Sequence, residues 1–124
     1  MLKEEKLTEA VLGAAIEVHR ELGPGLLESA YEQCLSHELK MRNISFARQV
    51  DLSVKYKQFH LDCGYRMDIV IDNKIVLELK CVDEINDLHK AQLLTYLKLS
   101  QMQVGIILNF NVPRLKEGIV RMVL

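Results

Sequence analysis

Asp68, Glu78 and Lys80 are the residues of this chain whose types and spacing could do chemistry together. They flank two β-branched, apolar runs, Ile69-Val70-Ile71 and Ile75-Val76-Leu77, joined by the turn signal Asp72-Asn73-Lys74. A hairpin centred on Asn73 sets Asp68 opposite Glu78 and Arg66 opposite Lys80. The two-residue period of a strand then gathers Asp68, Val70, Val76, Glu78 and Lys80 on one face, and Met67, Ile69, Ile71, Ile75, Leu77 and Leu79 on the other. The second face is wholly apolar and is expected to be core. The first brings two carboxylates together, which is destabilising without a partner charge. A divalent cation suits such a pair of hard oxygen ligands, and a neighbouring lysine can hold an anion. The bland alternative is a solvated strand face carrying an ordinary Glu–Lys pair.

These residues need a scaffold, and the rest of the chain supplies its elements. From about Leu7 to Leu22 the apolar positions Leu7, Val11, Leu12, Ala15, Ile16 and Val18 follow a helical period, with Thr8 near the start. Gly23-Pro24-Gly25 must interrupt that helix. A second helix is expected from about Leu26 to Met41, with Asn43 as its C-cap. Phe46 to Lys57 alternates like a strand, followed by a break near Gln58 to His60 and then the hairpin. Asn86 to Ser100 reads as a third helix, its core face supplied by Leu88, Ala91, Leu94, Leu97 and Leu99. Val104 to Phe110 is continuously apolar, as in a strand buried on both sides. A last strand is expected within Gly118 to Val123. The order is helix, helix, three antiparallel strands, helix, strand, strand, an α/β or α+β arrangement with a mixed sheet.

The 124 residues suit a single domain spanning 1–124, and 49% hydrophobic with 27% charged residues is ordinary globular composition. The net charge of -1 gives no global attraction to nucleic acid, so any such binding must be local. No apolar run reaches membrane-spanning length, and Met1 to Lys6 lacks the apolar stretch of a signal peptide, so a cytoplasmic location without membrane association is expected. Cys34, Cys63 and Cys81 are widely spaced and odd in number, more consistent with reduced thiols than with a disulfide framework or zinc site.

Asp68 followed by Glu78-Leu79-Lys80 resembles the signature of the PD-(D/E)xK nuclease superfamily, and the order of elements resembles its restriction-endonuclease-like αβββαβ core, a mixed central sheet flanked by helices. Gln92 and Tyr96 resemble the Q-x-x-x-Y element of its RecB-like members, the four-residue spacing setting both on one helix face. Gly25-Leu26-Leu27-Glu28-Ser29-Ala30-Tyr31 resembles the motif that names the GxxExxY proteins of the same superfamily. The resemblance runs from about Leu7 to Phe110. It implies a metal-dependent nuclease in which Asp68 and Glu78, with the backbone carbonyl of Leu79 and with Glu28 from the second helix, ligate Mg²⁺ or Mn²⁺. Lys80 would hold the attacking water or the phosphate, and Gln92, Tyr96 and Tyr31 would orient the substrate. Met67 stands where the superfamily's named proline precedes the aspartate. The alternative is a catalytically silent nucleic-acid- or protein-binding module that keeps the fold, against which the intact set Asp68, Glu78, Lys80 and Glu28 favours the nuclease.

Several of these residues have a plainer reading. Glu28 suits a helix N-terminus by charge alone, Tyr31 suits a core aromatic, and His19 suits a neutral, hydrogen-bonded histidine. His89 lies beside Gln92 and could face a substrate groove. Nucleic acid is the partner the resemblance implies, and Arg66 and Lys90, with Lys80, are candidate phosphate contacts. The other basic candidates, Arg48, Lys55, Lys57 and Lys98, are scattered, and Phe46, Phe59 and Phe110 are too isolated to predict a stacking platform. A chain this small and neutral could need a homodimer or a larger complex to form a groove.

Overall fold

The computed structural model describes residues 3–61 and 64–124, so Cys63 lies outside the described residues. Helices α1 (Glu5–Leu22) and α2 (Glu28–Met41) come first, then strands β1 (Phe46–Asp51), β2 (Val54–Tyr56), β3 (Phe59–Leu61), β4 (Arg66–Ile71) and β5 (Ile75–Lys80). Helix α3 (Asp87–Ser100), strand β6 (Val104–Asn109), a short 3-10 turn (Leu115–Gly118) and strand β7 (Ile119–Val123) complete the chain.

The helix boundaries follow local chemistry. The Gly23 N–H donates to the His19 carbonyl at 2.7 Å and closes α1. Gly25 has φ 107°, which a side chain would strain, so the chain can reverse there before α2 begins. The end of α2 is a Schellman turn: the N–H groups of Asn43 and Ile44 donate to the carbonyls of Lys40 and Leu39 at 3.1 and 3.0 Å, with Asn43 at φ 59°. Asn86 caps α3, its side chain accepting from the His89 N–H at 2.9 Å while His89 Nδ1 accepts from the Asn86 N–H at 3.0 Å.

Five strands form one mixed sheet in the order β1-β4-β5-β6-β7. Only β5 and β6 are parallel, and α3 supplies the crossover that parallel neighbours require. The Asp72-Asn73-Lys74 turn gives the predicted register, Ile71↔Ile75, Val70↔Val76 and Ile69↔Leu77. Every residue of β6 is buried, as expected for a strand covered on both sides.

Both faces of the hairpin are core, not one. Helices α1 and α2 cover Ile69, Ile71, Ile75, Leu77 and Leu79 together with Ile106 and Leu108. Helix α3 covers Val70, Val76 and Ile107 with Leu93, Tyr96 and Leu97. Gly105 permits this close approach, because a Cβ there would meet Leu93 side-chain carbons at 2.8 to 3.0 Å.

Four expectations need correction. Met67 packs with the α3-side cluster and not beside Ile69. Its partner in β1 is Val50, on the same side, whereas Phe46 packs toward α1 and α2. The alternation therefore reverses in both strands at the level of Gln49 and Asp68, where Gln49 has φ 49° and breaks the regular pleat. The predicted strand Phe46–Lys57 is two strands. It is interrupted where the Leu52 N–H donates to the Tyr65 carbonyl at 2.9 Å, and β2 then pairs with β3 in a separate two-stranded sheet. Residues 59–60, expected in a break, belong to β3. The buried stripe of α3 is Leu93, Tyr96 and Leu97, while Leu88 and Leu99 are 76% and 38% exposed and Ala91 is exposed too.

Candidate active site

The β4–β5 ladder stops at Ile69↔Leu77, and two carboxylates take over where it ends. The Asp68 N–H donates to Glu78 Oε2 at 3.0 Å, and the Leu79 N–H donates to Asp68 Oδ2 at 2.8 Å. Each acid thus satisfies a backbone group of the opposite strand, so the pair is fixed by the hairpin rather than by flexible side chains. Among the described residues Asp68 Oδ1 and Glu78 Oε1 have no hydrogen-bond partner. Arg66 does not face Lys80 as the extended register would require. It pairs across to Asp51 of β1 at 3.2 Å, both side chains being exposed.

Only 5% of Glu78 is exposed, and Asp68 is half-buried. Burial, reinforced by the neighbouring Asp68 charge, pushes the Glu78 carboxyl up to about 8. Burial also raises Asp68, and the Glu32 and Glu28 charges add to it, against the Leu79 N–H and Lys80, which lower it. Lys80 is partly buried, makes no ion pair among the described residues, and reaches both acids through its charge alone.

Glu28 opens α2 and is exposed, yet its charge is felt at Asp68, Glu78 and Cys81. The structure therefore brings Asp68 and Glu78 into a tight pair, with Glu28 at its margin. Among the described residues no three His, Cys, Asp or Glu side chains gather closely enough to enclose a metal ion.

Glu32, which the sequence reading missed, acts on Asp68 more strongly than Glu28 does. It is buried one turn further along α2, its Oε2 accepting from Arg48 Nε and Nη2 at 3.1 and 2.9 Å and its Oε1 from Gln49 Nε2 at 2.8 Å. The four-residue offset from Glu28 was the available signal.

A model of the PD-(D/E)XK nuclease superfamily matches residues 5–122. The chain belongs to that superfamily. Comparison with curated proteins and with solved structures gave no match. PD-(D/E)XK nucleases generally use divalent metals, and the mixed five-stranded sheet flanked by helices is consistent with their restriction-endonuclease-like fold. Among the described residues no helix is long and apolar enough to cross a membrane.

In this PD-(D/E)XK domain Gln92 and Tyr96 both line a cleft of about 620 Å³ that Lys80 also borders. Burial raises the Tyr96 hydroxyl, and the Glu78 and Asp68 charges raise it further, so it stays protonated near neutral pH. His89 borders the same cleft, but its Nδ1 is committed to capping α3. Lys90 is partly buried and makes no ion pair among the described residues.

Tyr31 is fully buried, with its ring stacked on Phe110 at 4.4 Å between centroids. Its hydroxyl donates to the Gly23 carbonyl and accepts from the Leu26 N–H at 3.2 Å, pinning the loop that leads into Glu28. His19 is buried with Nε2 3.1 Å from the Phe110 carbonyl, as a hydrogen-bonded histidine should be. Asn109, also missed in the sequence, holds the chain just after Lys80: its Nδ2 donates to the Val82 carbonyl at 2.9 Å, and its Oδ1 accepts from the Val82 N–H at 3.2 Å. The Phe110 N–H donates to the Lys80 carbonyl at 2.9 Å. Cys34 and Cys81 carry free thiols.

Proposed function

We propose that this PD-(D/E)XK domain hydrolyses phosphodiester bonds of DNA or RNA with a divalent cation held by Asp68 and Glu78. The observation that carries the reading is the carboxylate pair, buried Glu78 and half-buried Asp68, cross-braced through the Asp68 and Leu79 N–H groups and left with one unbonded oxygen on each acid among the described residues. Burial, and then repulsion from Asp68, oppose ionisation of Glu78 and raise it to about 8. A cation relieves that repulsion, and a set of hard oxygen donors fits Mg²⁺ or Mn²⁺. The backbone carbonyl of Leu79 and the Glu28 carboxylate, at the margin of the pair, are the further oxygens offered to such an ion.

When bound, the cation supplies Lewis-acid chemistry: charge neutralisation at the phosphate and a lowered pKa for water. Lys80, without a competing ion pair among the described residues, presents its ammonium to the charge that builds on the phosphate. Tyr96, protonated, and Gln92 offer hydrogen-bonding groups to the substrate along the same cleft. Tyr31 acts one step removed, by holding the loop before Glu28. Gly25, Glu28 and Tyr31 also support a place for this chain among the GxxExxY proteins.

The test is Mg²⁺ and Mn²⁺ titration calorimetry combined with cleavage assays on single- and double-stranded DNA and RNA. Asp68→Ala should lose metal binding and cleavage together. Lys80→Ala should keep the metal and lose about 10²–10³-fold in rate, the usual effect of removing one electrostatic stabiliser. Cleavage that survives both substitutions would overturn the assignment, and metal binding without turnover on any substrate would leave a silent binding module.

A further inference from the structure

We infer that the cleft beside Lys80 binds an unpaired nucleobase, and that Tyr56 and Phe59 extend it into a stacking platform for single-stranded nucleic acid. The inference rests on the phosphodiester chemistry proposed above and names its substrate class.

The cleft, about 620 Å³, falls within the usual range for small-ligand sites. One wall is the outward side of α3, where Leu88, Ala91 and Leu99 are exposed instead of packed. The opposite wall is Leu52, Val54 and Tyr65. Its lining is mostly apolar and holds no carboxylate, while Gln92, Thr95 and the Tyr96 hydroxyl bring hydrogen-bonding groups to it. Flat apolar faces with polar edges are the chemistry of a nucleobase, and Tyr65, at 46% exposure, offers it an aromatic ring. Lys80 on the border links the base site to the position of the phosphate.

The surface continues along the β2–β3 hairpin. Val54 turns into the cleft, so the two-residue period puts Tyr56 on the same side. The Tyr56↔Phe59 register sets Phe59 beside it, and the two rings are 62% and 66% exposed. Lys57 Nζ lies 5.3 Å from the Tyr56 ring centroid, adding a cation at this end. Two large aromatics side by side in water contribute nothing to a core; they suit a partner that stacks.

A duplex fits this surface poorly. It hides its base faces and presents phosphates, which call for a strongly basic surface. Here the net charge is -1, and Arg48 and Arg66 are committed to Glu32 and Asp51. A single strand exposes the base faces that the aromatic residues can use.

Fluorescence anisotropy in EDTA, where a metal-dependent domain does not turn over, compares one oligonucleotide as single strand and as duplex. The single strand should bind at least about tenfold more tightly, and Tyr65→Ala and the exposed pair Tyr56→Ala/Phe59→Ala should each weaken it about 5-fold or more, with Tyr65→Phe close to wild type. Quenching of a 2-aminopurine base in the strand should fall in the same alanine variants, which a merely structural defect would not single out if their thermal melts match wild type. Equal or tighter duplex binding, no measurable single-strand binding, or unchanged affinity in the alanine variants would overturn the inference. The two ideas fail separately. Single-strand binding without cleavage in Mg²⁺ or Mn²⁺ removes the proposed reaction alone, whereas duplex cleavage at full rate by the alanine variants removes the base site alone.

Discussion

Glu78 is the side chain whose protonation most directly couples this site to pH. Its carboxyl rises from 4.5 to about 8 because burial and Asp68 both oppose its charge. Between those values the folded chain holds a proton that the unfolded chain has released. Its favourable contribution is therefore complete below about pH 4.5 and is lost as pH rises through about 8. One proton limits the slope to about 1.4 kcal/mol per pH unit. Asp68 is raised as well and acts in the same direction. Urea unfolding in EDTA from pH 5 to pH 9 should show stability declining in the wild type, with a shallower decline in Glu78→Gln. Parallel curves would mean that the buried acid does not resist ionisation. Metal must displace the same proton, so Mn²⁺ affinity should climb with pH and level off above about 8.

At the scale of elements, α2 and β1 are joined through Glu32. Its two oxygens take three hydrogen bonds from Arg48 and Gln49. Gln49, with φ 49°, sits where both strands change face and where Asp68 leaves the regular ladder. Glu32→Ala should therefore cost about 1.5–3 kcal/mol in chemical denaturation, the range for hydrogen bonds to a charged group. It should also shift the amide resonances of Asp68 and Leu79. An unchanged denaturation midpoint with unmoved resonances would mean the clamp does not set the pleat.

The same region marks what could be read in the sequence. The Asp72-Asn73-Lys74 turn, the Gly23–Gly25 break and the fully buried strand β6 were legible because each is specified within a few residues. The pairing of Asp68 with Glu78 followed from the turn, and the common side of Gln92 and Tyr96 from their four-residue spacing on α3. Glu32 was legible only as a helix-face neighbour of Glu28; its clamp was not, because that depends on Arg48 and Gln49 some 16 and 17 positions away. Met67 was placed on the wrong face because one residue in left-handed geometry reverses the alternation, and no local pattern announces it. On α3, leucine content suggested a core face that the structure instead opens to the cleft at Leu88 and Leu99, while Tyr96 goes inside.

At the scale of the molecule, charge decides how substrate is held. Lysines and arginines number 16 against 17 acids, and among the described residues six ion pairs draw on Arg20, Arg42, Arg48, Arg66, Lys74 and Arg114. Among the lysines without an ion pair, Lys80 borders the cleft and Lys57 stands at its Tyr56 end, and Lys90 of α3 is taken as a third phosphate contact. Three contacts on a single strand correspond to a slope of about −2 in log affinity against log salt. Stacking, which salt barely screens, would carry the remainder. Anisotropy titrations from 50 to 300 mM KCl should therefore give a slope no steeper than about −2, with Lys90→Ala shallower by about 0.7. A slope near −5 would require many more phosphate contacts than this face offers. In that case a second copy of the chain or another basic partner must contribute to the groove, and the binding unit is larger than the protein described here.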